Sequence, residues 1–84
     1  MSIRDDYVGI GTVKPDQSAI LDLNSKSKGL LLPRLTLTER ANIQNPATGL
    51  MVYQTNLLKG LYVYNGTEWN LLNNNQANLT TNNT

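Results

Sequence analysis

Leu50-Met51-Val52-Tyr53-Gln54-Thr55-Asn56-Leu57-Leu58-Lys59-Gly60-Leu61-Tyr62-Val63-Tyr64-Asn65-Gly66-Thr67-Glu68-Trp69-Asn70-Leu71-Leu72 is the stretch that decides the fold class. It holds three runs rich in β-branched and aromatic residues, 50–55, 60–64 and 67–72, separated by turn residues. Asn65-Gly66 between the second and third runs is the strongest short-range hairpin signal, because a type I′ turn needs positive φ at both central residues. The expected product is a three-stranded antiparallel meander carrying every aromatic residue except Tyr7.

Working upstream, Thr36-Leu37-Thr38-Glu39 has the spacing of a capping box, with Thr36 as N-cap and Glu39 three residues on. A short helix over 37–43 should follow and end before Pro46, with Leu37, Ala41 and Ile43 on its buried side. Gly29-Leu30-Leu31-Leu32-Pro33-Arg34-Leu35 places four leucines around a proline that cannot donate to a ladder. An edge strand or an extended stretch on another surface is expected there. Ser18–Leu23 alternates as a short strand, with Ile20 on its otherwise polar side, and Asn24–Gly29 is a polar loop. In Tyr7-Val8-Gly9-Ile10-Gly11-Thr12 the two glycines suit a close backbone approach or a bend. They lack the third glycine and following helix of a phosphate loop. Val13-Lys14-Pro15-Asp16 is a turn.

With 84 residues and no Cys, the chain cannot add disulfides or thiolate-bound metal to a core near the lower size limit. It has no His, the commonest metal ligand and general acid–base group. Association with other copies is the supplement left, so oligomerisation is a physical expectation. Seven basic and six acidic residues, a net charge of +1, argue against a nucleic-acid partner. No apolar run approaches a membrane span. Met1–Asp6 lacks the basic start and apolar core of a signal peptide, which implies synthesis in a cytoplasm without classical secretion. Residues 73–84 shift to an uncharged, Asn-rich composition that reads as a disordered tail or linker, to be held by docking onto other chains.

Val8-Gly9-Ile10-Gly11-Thr12, Pro15, Ala19-Ile20-Leu21-Asp22-Leu23, Lys28-Gly29-Leu30-Leu31-Leu32-Pro33-Arg34-Leu35-Thr36, Arg40, Ile43, Pro46–Thr55 and Leu61–Trp69 occur in an order that resembles a recurrent module of phage tail fibres. The same module occurs in bacterial, Bacteroidetes-type, surface proteins. The organisation this implies is a polar start (1–7), a fibre or spike module (8–72) and the Asn-rich tail (73–84). The resemblance implies a mainly β fold with one short α-helix, its N-terminal segments extended beside the meander, assembled as an intertwined homotrimer. It also implies a structural virion protein of a phage fibre, spike or capsid vertex. Such a protein would attach to the host or anchor another spike, with other virion proteins as partners. The alternative it leaves open is a carbohydrate-binding or adhesion module of a bacterial surface protein.

Several residues are candidates for sites. Leu30, Leu31, Leu32, Pro33 and Leu35 would form the trimer interface. Tyr53, Tyr62, Tyr64 and Trp69 could make an aromatic platform for a host surface glycan, although aromatics in a meander are more often cross-strand pairs and core. Asp22 and Arg34 could form an ion pair, within the chain or between subunits. Asp5, Asp6 and Asp16 are hard oxygen donors without a calcium-loop spacing and are better explained as solvated turn carboxylates. Lys26 and Lys28 make a solvated basic loop. Asn65-Gly66-Thr67, Asn78-Leu79-Thr80 and Asn82-Asn83-Thr84 match the glycosylation sequon by chance. No catalytic residue, metal or cofactor is expected; Glu39 and Glu68 are the only glutamates, and Glu39 is accounted for by capping.

Overall fold

The computed structural model describes residues 1–72, which fall into two compact units, Met1–Leu30 and a second from Leu31 onward. The expected module 8–72 is thus divided at the leucine run, and the expectation for the tail lies outside the described residues.

The first unit is a small sheet that joins the extended N-terminal segments to the strand expected up to Leu23. Strands β1 (Ser2–Arg4), β2 (Tyr7–Ile10) and β3 (Leu21–Leu23) lie in that order. β1 and β2 form an antiparallel hairpin around Asp5-Asp6, and β3 runs parallel to β2. The strand expected from Ser18 is shorter because Asp16 organises the residues before it. Its Oδ1 accepts the Ser18 N–H and hydroxyl at 2.9 and 2.6 Å, and its carbonyl accepts the Ala19 N–H at 3.0 Å. The two Ser18 bonds to the carboxyl, that of the hydroxyl foremost, hold the exposed Asp16 side chain below the usual carboxylate range.

The parallel pairing of β2 and β3 forces residues 11–20 to cross over one face of the sheet. Two contacts identify that face. A Cβ on Gly9 would lie 2.6 Å from Pro15 Cγ, so the proline ring is seated directly on the glycine. Asp22, the register partner of Gly9, accepts the Asp16 N–H at 2.8 Å through Oδ2. The close approach expected at Gly9 and Gly11 is therefore real. Gly9 makes room for Pro15, and Gly11, at φ +83°, lies against the Asn24 carbonyl.

The second unit holds the meander: β5 (Met51–Gln54), β6 (Gly60–Tyr64) and β7 (Trp69–Leu71), all antiparallel. A fourth strand, β4 (Arg34–Leu35), joins parallel to β5 at the edge. Pro33 enters this edge through its carbonyl, which accepts the Tyr53 N–H at 2.9 Å, and the Leu35 carbonyl accepts from Thr55 at 2.8 Å. An edge position is where a residue without an N–H fits. The β6–β7 connection is not the expected two-residue type I′ turn. Asn65 does not take positive φ; its Oδ1 instead accepts the Thr67 and Glu68 N–H groups, each at 2.8 Å. The loop lengthens to Asn65–Glu68, with Gly66 at φ +101° and Tyr64 opposite Trp69.

Helix α1 (Leu37–Ala41) starts at the expected capping box. Thr36 Oγ1 accepts the Glu39 N–H at 3.2 Å and Glu39 Oε1 accepts the Thr36 N–H at 2.8 Å. Asn56 Oδ1, from beyond β5, accepts the Leu37 N–H at 2.8 Å. The helix ends earlier than expected, at Asn42, and Ala41 is exposed rather than on a buried stripe. A helix this short depends on its caps. Thr36→Ala should lower stability by about 1 kcal/mol, read from the midpoint of urea denaturation, with Thr36→Ser restoring most of it.

Candidate functional site

In β5 and β6 the alternation of the strands sorts the side chains of the second sheet onto two faces. Val52, Gln54, Tyr62, Tyr64, Trp69 and Leu71 share one face, with Leu35 on it through its pairing with Gln54. Arg34, Met51, Tyr53, Leu61 and Val63 share the other.

The first face is the core of the unit, and its centre is polar. Gln54 is fully buried. Its Oε1 accepts from Arg40 Nε at 2.7 Å, and its Nε2 donates to the carbonyls of Asn56 and Leu58 at 3.0 and 3.2 Å. Tyr62 Oη donates to the same Leu58 carbonyl at 2.7 Å. The Arg40 guanidinium lies 4.4 Å from the Tyr62 ring centre and 5.4 Å from that of Trp69. One arginine from α1 therefore covers both rings, while Gln54 and Tyr62 tie down the β5–β6 loop. Arg40 is among the residues of the family resemblance, but its role and that of Gln54 were not legible in sequence: a glutamine inside a strand gives no sign that it is buried, and Arg40 sits on a helix whose orientation only the packing fixes.

This arrangement corrects the idea of one aromatic platform. Tyr62 is buried beneath Arg40, so its face is closed to a ligand. Tyr64 and Trp69 meet edge to face, 5.3 Å apart at 64°, as a cross-strand pair. Tyr53 stands on the opposite face. The four rings do not converge.

Leu30 and Leu31 are exposed, Leu31 at 76%, and Leu32 and Leu35 are half-buried. Asp22 is engaged with Asp16, and Arg34 Nη1 donates to the Leu32 carbonyl at 2.7 Å, so each is satisfied by its own neighbourhood. Asp5 and Asp6 are exposed in the β1–β2 turn, and among the described residues no three acidic side chains gather as a metal site would require. No helix among the described residues is long and apolar enough to cross a membrane.

Compared with known families, residues 9–83 match the model described as "phage tail like trimerisation region". The chain belongs to this family. The trimerisation region contains β2 from Gly9, β3 and every described element of the second unit. No curated protein and no solved structure matches the chain. Among the described residues the trimerisation region is mostly β with one short helix, the fold class expected, and its family supports a homotrimer. The family is a structural one of phage tail-like proteins rather than a family of enzymes.

Proposed function

We propose that this trimerisation region is a structural component of a phage fibre, spike or capsid vertex, and that it holds three chains together for host attachment or for anchoring another spike. The observation that carries the reading is the leucine run around Pro33. Its C-terminal end, from Pro33 to Leu35, is already committed to an edge strand, while Leu30 and Leu31 are exposed. Burying such side chains against sister copies would contribute about 1.5–3 kcal/mol each. In this reading Leu30, Leu31, Leu32, Pro33 and Leu35 lie between subunits. Asp22 and Arg34 would pair, within the chain or between subunits, adding little where water screens them.

The test is molar mass in solution by light scattering. Three copies of a 9.3 kDa chain give about 28 kDa, and a trimer at micromolar concentration is the expected result. A 9.3 kDa monomer under those conditions would overturn the reading. Attachment and anchoring separate on a glycan array. Binding to a surface polysaccharide favours attachment, for which Tyr53, Tyr64 and Trp69 are the rings with accessible surface. The adhesion-module alternative predicts the same binding, without incorporation into particles.

A further inference from the structure

The crossover in the N-terminal unit covers one face of its sheet and leaves the other bare. That bare face is set by register. Ile3 pairs with Val8, Val8 with Leu21, and Ile10 with Leu23, so all five side chains emerge on the side away from Pro15. Each of them is apolar. Ile3 is 61% exposed, Ile10 45%, Leu21 50% and Leu23 41%. Only Val8, on the central strand, is half-covered, and that by its neighbours in the sheet. A sheet with one apolar face requires a second layer against that face.

We infer that this face, Ile3, Val8, Ile10, Leu21 and Leu23, is a second interface between copies, with the three N-terminal sheets packing their bare sides together in the trimer. The inference rests on the homotrimer reading above and extends it to a surface separate from the leucine run. Sister copies are the occupant that the chemistry selects. The face has no charged or hydrogen-bonding side chain, so its partner must be apolar, and an identical face from another copy is complementary to it. Residues 73–84 offer only Ala77 and Leu79 as apolar side chains, too few to cover five. Ile10, Leu21 and Leu23 also lie within the matched trimerisation region.

Leu21→Glu places a charge on the face, beside Val8 of the central strand, and Ile20→Glu places the same charge one residue away, outside it. With the wild-type chain trimeric, Leu21→Glu should lower the molar mass about threefold while Ile20→Glu leaves it unchanged. A trimeric Leu21→Glu overturns the inference and leaves the homotrimer reading intact, whereas a monomeric wild type removes both. If both variants lose the trimer, cross-linking decides, since the chain has no Cys of its own. A single Leu21→Cys, which preserves the apolar face, should give a covalent dimer with a short bis-maleimide, and Lys14→Cys in the crossover should not. No cross-link at Leu21→Cys would overturn it.

Discussion

Gln54→Leu is expected to destabilise the second unit by about 3 kcal/mol. Leucine matches glutamine closely enough in volume that the loss is not one of cavity formation. It comes from the partners left behind. Half-buried Arg40 Nε and the Asn56 carbonyl lose the bonds they make at 2.7 and 3.0 Å, and a group left facing the new leucine without a partner costs up to about 1–3 kcal/mol. The Leu58 carbonyl is less affected because Tyr62 Oη still donates to it. Trp69 lies under the same guanidinium, so its fluorescence reports the unfolding directly. Protein concentration must be held fixed, because trimer dissociation enters the apparent stability. A midpoint within experimental error of wild type would mean that the Arg40–Gln54 bond does not organise this core.

Gly11→Ala is the counterpart for the first unit, with an expected loss of about 2–3 kcal/mol. At φ +83° an L side chain is strained by about 1 kcal/mol, and here the new Cβ points into the Asn24 carbonyl oxygen. Backbone cannot swing aside as the end of a long side chain can. Asn24 also donates its N–H to the Ile10 carbonyl at 2.9 Å, so relieving the clash opens the end of the β2–β3 ladder. Amide hydrogen exchange at Asn24 and along β3 should rise, while β5–β7 stay protected. Gly29→Ala is the control: nothing lies within 4 Å of its would-be Cβ, and it should be near neutral. Equal behaviour of the two variants would contradict the close approach at Gly11.

The parts of the fold legible in sequence were those fixed by local chemistry. The capping box at Thr36 and Glu39 depends on residues three apart, and the meander on alternation within runs of a few residues; both are present. Pro33 implied an edge, and β4 is one. The Asn65-Gly66 turn was located correctly, yet its type was not, because the Asn65 carboxamide competes for the same N–H groups that a tighter hairpin would use. The hairpin of β1 and β2 went unread, since Arg4-Asp5-Asp6 carries no glycine or proline to mark a turn.

For the candidate site the division is sharper. Sequence alone determined that the chain lacks the thiols and imidazoles that staple or catalyse, that it is short for a self-sufficient core, and that four leucines surround Pro33. Tertiary structure decided which apolar residues share a face. Ile3, Val8, Ile10, Leu21 and Leu23 come from three segments, and only the register of an antiparallel and a parallel pairing aligns them. It also decided that Tyr62 is covered and Gln54 buried, because a helix can lie on either side of a sheet and the side chosen is settled by the packing of Arg40. Local hydrogen bonds are encoded within a few residues, whereas the faces of a sheet are properties of strands that meet only after the chain has folded.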